Sequence, residues 1–141
     1  MDRGTIFRVW VPLLLGAWAL GMVYARGPGP HGIVRPIGLA LAIIGLSGVM
    51  LARFTLGKSF SVTAQARVLV TAGIYSKIRN PIYVSAELML LGLAMMLWNP
   101  LVLIFLLAVI PVQVLRARKE ARVLEAKFGD EYRAYRARTW F

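Results

Sequence analysis

Residues 82–115 read IYVSAELMLLGLAMMLWNPLVLIFLLAVIPVQVL, and the only formally charged side chain in that stretch is Glu87. A helix rises 1.5 Å per residue and needs about 20 apolar residues to cross roughly 30 Å of hydrocarbon. The runs 82–98 and 101–115 therefore approach spanning length, with flanking residues and a modest bilayer adjustment supplying the remainder. Asn99-Pro100 breaks the chain between them, which predicts a tight antiparallel hairpin. Pro81 stands where a helix can begin, because its missing N–H needs no partner in the first turn. Pro111 is expected to kink the last of these helices.

Two further apolar runs lie upstream, 9–25, interrupted by Pro12, and 37–52, and Gly-Pro-Gly-Pro at 27–30 forces a turn between them. Hydrophobic residues make up 59% of the 141 positions, more than the roughly half of an ordinary soluble domain. The expected fold is an all-α integral membrane protein of about four transmembrane helices. The last two form the hairpin, and a cytoplasmic amphipathic helix follows in the tail, 116–141. No internal repeat divides the chain, so residues 1–141 are read as a single domain. The absence of cysteine excludes disulfides, thiolate metal sites and cysteine nucleophiles, and a single histidine argues against a His-based metal cage.

A net charge of +11 is compatible with phosphate binding, but the placement of the cations argues against nucleic acid. They lie between and after the apolar runs, as loop charges of a membrane protein do. With four spans, the N-terminus, the segment 53–80 and the tail share one side and carry fifteen of the seventeen Lys and Arg, against Arg26 and Arg35 on the other. Both termini of this multi-pass protein are therefore expected in the cytoplasm. The first run could instead be a signal peptide ending near residue 25, but it is longer than a usual signal-peptide core.

Two polar clusters are candidates for chemistry. Residues 69–83, LVTAGIYSKIRNPIY, join the second and third runs and place a glycine, two tyrosines, two cations and Asn80-Pro81 at the mouth of a helix. A helix N-terminus offers unpaired N–H groups and partial positive charge to an anion. The plainer reading is a basic interfacial loop with belt tyrosines. In the tail, Arg116 and Glu120 are four apart on a helix continuing from the fourth run, so they share a face, as an ion pair also would. Leu124, Phe128, Tyr132 and Tyr135 form an apolar stripe expected to lie on lipid, with Gly129-Asp130 ending one helix and starting another. Glu87 is a carboxylate inside an apolar run and hence a functional suspect, although it could also reach the interface or pair with an arginine. His31, in the opposite loop, is assigned no chemistry.

The stretch LVTAGIYSKIRNPIY, the Asn99-Pro100 turn and the ending KEARVLEAKFGDEYRAY, 119–135, together resemble the isoprenylcysteine carboxyl methyltransferase family, broadly including phospholipid methyltransferases. The shared pattern runs LVTxGxY, RxPxY, NP, ExxxL and FGxEYxxY over residues 57–135. The resemblance implies a small helical membrane domain that moves a methyl group from S-adenosylmethionine to a lipophilic or lipidated acceptor. The cofactor would be bound on the cytoplasmic side and the acceptor would enter from the bilayer lipids. It implies cofactor contacts at Leu69, Val70, Tyr75, Asn80, Pro81, Ile82, Tyr83 and Glu120, and it makes Arg116 the catalytic residue that positions the substrate; Glu87, picked out by its place in an apolar run and not by the resemblance, is the other candidate substrate contact. Asn80 stands where the family usually has histidine, Ala121 where it has a second glutamate, and Arg67 where histidine is common.

These residue types suit the chemistry, because displacement at a sulfonium methyl needs a bound cation, an aligned nucleophile and excluded water rather than a metal. Tyrosine faces attract a sulfonium by roughly 0.5 to 2 kcal/mol, and Glu120 can pair an ammonium. A carboxylate acceptor is already ionised near neutral pH and would be oriented by the Arg116 fork. The alternatives are an NAD(P)H-dependent enzyme of the sterol-reductase type, whose Arg-Pro-Tyr core and nearby glutamate are echoed by residues 79–87, and a noncatalytic family member. A prenylated cysteine, an amine headgroup, an isoprenoid or a small lipophilic acid would each need an apolar slot between the helices.

Overall fold

The computed structural model describes residues 3–26, 32–57 and 69–141, with side chains from Leu13 onward in the first helix and up to Ala25. Five helices follow in order: α1 Arg3–Arg26, α2 Val34–Leu56, α3 Pro81–Leu97, α4 Pro100–Phe128 and α5 Asp130–Arg138. One turn of 3-10 helix, Gly73–Ser76, precedes α3. The described residues include no strand, only one isolated bridge between Ile78 and Trp140. The Gly-Pro turn at 27–30, His31 and Arg67 lie outside the described residues.

Each apolar run has become a helix. By length and composition α2 and α4 can each cross a membrane, and two shorter apolar helices accompany them, Leu13–Ala25 within α1 and Pro81–Leu97. These helices suit a membrane protein, and the exposure of the large apolar side chains agrees. Leu101, Leu103, Ile104, Phe105, Leu107 and Leu115 all point out of α4 into the surroundings, an arrangement that water would penalise and lipid would not.

The fourth run continues as helix past residue 115, as expected, and α4 runs through Pro111 to Phe128, a helix of 29 residues. At its start, Asn99 accepts the Leu101 N–H through its side chain at 2.9 Å, and Pro100 occupies the first helical position. Trp98, at φ 49°, adopts the left-handed conformation that closes α3.

The main packing partner of α3 is α2 rather than α4. Small residues make this possible. A Cβ on Gly38 would lie 2.7 Å from the Gly92 carbonyl oxygen and 2.7 Å from the Met96 nitrogen. One on Gly45 would lie 2.6 Å from the Ser85 carbonyl oxygen and 2.7 Å from the Met89 Cα. Two backbones this close leave no room for a side chain, the packing that small residues permit between membrane helices. Ala42 and Met96 are completely buried at this contact, and Leu20 of α1 joins them. Where α1 meets α2, the Arg35 guanidinium lies 4.9 Å over the Tyr24 ring and donates to the Tyr24 carbonyl.

Candidate active site

Helix α3 turns Ser85, Met89, Gly92 and Met96 toward α2, and a different face carries Tyr83 and Glu87, four residues apart and so one above the other. Tyr83 reaches across to α4. Its hydroxyl donates to Glu120 Oε1 at 2.6 Å, a short bond of the length expected when the acceptor is charged. Arg116, one turn from Glu120 along α4, interacts with the same Tyr83 hydroxyl. The two clusters read from the sequence therefore meet: residues 37 apart are joined side chain to side chain.

Tyr75 completes the group from the 3-10 turn. It is buried, and its hydroxyl is held protonated well above the usual tyrosine range, first by burial and then by the nearby Tyr135, Glu120 and Tyr83. Asn80 and Ile82 are half-buried beside Pro81, which is fully buried at the head of α3. Leu69 and Val70 are half-buried in the irregular stretch that leads into this turn. Glu87 lies one turn deeper than Tyr83. Both its carboxylate oxygens are covered and meet no hydrogen-bond partner among the described residues.

The mouth of α3 is less open to an anion than a bare helix end would be. The Asn80 N–H is taken by the Phe141 carbonyl at 3.1 Å, and the Tyr83 and Val84 N–H groups both return to the Asn80 carbonyl. Pro81 has no N–H, so among the described residues Ile82 is left to offer one.

The apolar stripe of the tail also differs from its expected role. Tyr132 and Tyr135, expected against lipid, are 2% and 4% exposed and pack into the protein, their ring centroids 6.2 Å apart. The Tyr135 hydroxyl donates to the Tyr75 carbonyl at 2.7 Å. Beyond α5 the chain runs beside residues 77–80: Trp140 donates to the Lys77 carbonyl at 2.8 Å, and its own carbonyl accepts from Arg79 at 2.9 Å. Gly129, at φ 51°, makes the elbow that sends α5 back toward this loop, a backbone conformation that side chains other than glycine's disfavour. Arg133 bridges the elbow, bonding Glu125 and Asp130 at 2.9 Å each. Sequence reasoning found Tyr135 as one member of a stripe but had no signal for what covered it.

Tyr83, Glu120 and Arg116 thus lie together beside the Asn80-Pro81 start of α3. The sequence model of the phospholipid methyltransferase family matches residues 34–131, from the start of α2 to the start of α5. The chain belongs to that family. This phospholipid methyltransferase family member thus falls in the isoprenylcysteine carboxyl methyltransferase-like group of membrane methyltransferases. No individual curated protein and no solved structure matches the chain. The matched span includes every candidate site residue and ends before Tyr132.

Proposed function

We propose that this membrane methyltransferase takes its methyl group from S-adenosylmethionine and delivers it to a lipophilic acceptor at the cytoplasmic face of the membrane. The observation that carries the reading is the Tyr83–Glu120 bond, with Arg116 beside it and Tyr75 buried next to it. The donor set fits the cofactor's charges. One carboxylate suits its ammonium, the tyrosine faces suit its sulfonium, and the Ile82 N–H at the head of α3 suits its carboxylate.

S-adenosylmethionine, when bound, would supply a methyl group on a positively charged sulfur, open to a nucleophile that bonds the methyl carbon while the carbon–sulfur bond breaks and the neutral thioether S-adenosylhomocysteine leaves. The chain's own residues then bind, align and exclude water. Tyr83 stiffens Glu120 by donating to one carboxylate oxygen, and that carboxylate would meet the ammonium. Leu69, Val70, Tyr75, Asn80 and Pro81 form the wall on the loop side. Arg116 has a planar fork that can hold an anionic acceptor group in two-point contact, so a carboxylate of the isoprenylcysteine type is a suitable acceptor. Glu87, deeper on the face of Tyr83, is placed to meet the polar end of an acceptor entering from lipid. Four spans, α1 to α4 with their connections, would set this site at the cytoplasmic surface with both termini on that side, in a single domain.

The test uses purified protein in lipid nanodiscs. Labelled S-adenosylmethionine is expected to bind and NADPH is not. The label should pass into one component of a total lipid extract, whose identification names the acceptor. Binding that survives substitution of both Tyr83 and Glu120 would mean the site has been misplaced.

A further inference from the structure

We infer that residues 135–141 form a clasp that pre-shapes the donor-binding loop, with Tyr135 its positioning residue; this rests on the S-adenosylmethionine reading above. Between Tyr75 and Asn80, four main-chain groups are bonded by this one segment. The Tyr75 carbonyl accepts from the Tyr135 hydroxyl, the Lys77 carbonyl from the Trp140 N–H, and the Arg79 and Asn80 N–H groups donate to the carbonyls of Trp140 and Phe141. The loop's own bonds are short-range turns, Tyr75 to Ala72 and Lys77 and Ile78 to Ile74, with Ser76 Oγ to Gly73. They set the local curvature but not where the loop lies relative to α4.

That placement comes from the two ends of the α4–α5 unit. Glu120 holds Tyr83 from one side, and the clasp holds Tyr75 to Asn80 from the other. The donor-contact candidates Tyr75, Asn80, Pro81 and Tyr83 all lie between these anchors. A short parallel pairing of this kind is weak in isolation. It persists because buried Tyr132 and Tyr135 dock α5 beside it. A loop already held in its binding shape loses less freedom when ligand arrives, so the clasp acts on donor affinity rather than on the transfer step.

Segment 139–141 lies beyond the matched residues 34–131, and Trp140 is 79% exposed while its N–H and carbonyl are both bonded, so its part in the clasp is played by the main chain. Side-chain and main-chain contributions can therefore be separated. Tyr135→Phe removes one hydroxyl and keeps the ring. Trp140→Pro removes the N–H that bonds Lys77, and Trp140→Ala keeps it.

The experiment measures S-adenosylmethionine affinity by calorimetry, steady-state methyl transfer, and amide exchange at Arg79 and Asn80, all on the full chain in nanodiscs. Tyr135→Phe and Trp140→Pro are expected to weaken donor affinity and raise the donor KM by about tenfold, the loss of one good hydrogen bond. They should leave kcat at saturating donor within about twofold, and Trp140→Ala should behave as the unaltered protein. Exchange at Arg79 and Asn80 should quicken in Trp140→Pro alone of the two Trp140 variants. Unchanged donor affinity in Trp140→Pro despite faster exchange would reduce the clasp to a structural tie, and unchanged exchange would refute the pairing itself. If the unaltered protein binds no donor, the cofactor reading falls and takes the clasp's role with it, a failure distinguished by appearing before any substitution.

Discussion

The two faces of α3 behave as opposites. Toward α2 the helix presents Ser85, Met89, Gly92 and Met96 to a glycine-and-alanine seam, backbone against backbone, with Ser85 the only polar side chain buried there. Toward α4 it presents Tyr83, bonded to Glu120 beside Arg116, and Glu87 one turn deeper. The seam has shape and almost no polarity. The site side has polarity and sparse packing. A polar group is held in place only where its support does not give, and α3 divides support and polarity between its faces.

Damage to the seam should have the largest effect. Gly45→Val would place a branched side chain on the Met89 and Ser85 backbones, neither of which can swing aside. Overpacking of this kind costs about 1–3 kcal/mol and sometimes more. Here the helices must separate, so little folded protein should be recovered and its thermal unfolding in detergent should start well below that of the unaltered chain. Gly48→Ala meets only the Ser85 side chain and should cost clearly less. Equal losses at the two positions would contradict the rigid seam.

Changes on the site side should do the reverse, lowering function while sparing the fold. Glu120→Gln and Tyr83→Phe each weaken a hydrogen bond to a charged group, of a kind worth about 1.5–3 kcal/mol. Donor affinity should fall tenfold or more in each, with unfolding temperatures close to that of the unaltered chain. The two losses should add only in part, because both changes disturb the bond that joins the two residues while Glu120→Gln alone also removes the charge offered to the ammonium. Additive losses in a double-mutant cycle would show that the residues act separately. Arg116→Lys keeps the charge but loses the planar fork. It should lower kcat/KM for the acceptor by about tenfold while leaving donor affinity alone.

The contrast also explains what the sequence disclosed. The helices α2, α3 and α4 were legible because apolar runs bounded by Asn-Pro, glycine and cations have few other ways to satisfy their backbones in lipid. The elbow at Gly129-Asp130 was legible from turn chemistry. Tyr83 and Glu120 could be named as partners only through the motif resemblance, since nothing local to either residue reports a contact 37 positions away. The seam was not legible at all: Gly38, Gly45 and Gly92 look like any glycines of a membrane helix until a second helix is laid against them. Tyr132 and Tyr135 were read as facing lipid because periodicity identifies an apolar face but not what covers it. The clasp of 139–141 has no period and no motif, and its bonds are main-chain bonds that any residue but proline could make.

Glu87 sharpens the comparison further, because it lies on the polar face of Tyr83 yet its carboxylate oxygens are covered and meet no hydrogen-bond partner among the described residues. A purely structural residue with no partner is improved by removal, so Glu87→Leu would then raise the unfolding temperature and leave turnover unchanged. A substrate contact predicts a different pair of results. Stability should be equal or higher, and the acceptor KM should rise several-fold in both Glu87→Leu and Glu87→Gln. Turnover untouched in both variants would remove Glu87 from the site.

The smallest expected effect is with pH, and it again separates the two regions. Burial, aided by Tyr132 and opposed by Arg79, pushes the Tyr135 hydroxyl up to about 12 from an ordinary value near 10. The native state thus keeps a proton that the unfolded chain gives up, so between roughly pH 10 and 12 unfolding releases a proton and stability falls as pH rises. Below about pH 10 both states are protonated and the hydroxyl contributes no pH dependence. Tyr75 and Tyr132 are shifted in the same direction, chiefly by burial, so they add to the alkaline loss. Ser85, Met89, Gly92 and Met96 carry no group that titrates in this range, so their contact with α2 is indifferent to it. Circular dichroism with increasing pH should therefore be flat from about pH 7 to 9 and then decline, and Tyr135→Phe should shed part of that decline. A decline that starts near neutrality, or one that Tyr135→Phe leaves whole, would place the alkaline-sensitive group somewhere other than the clasp.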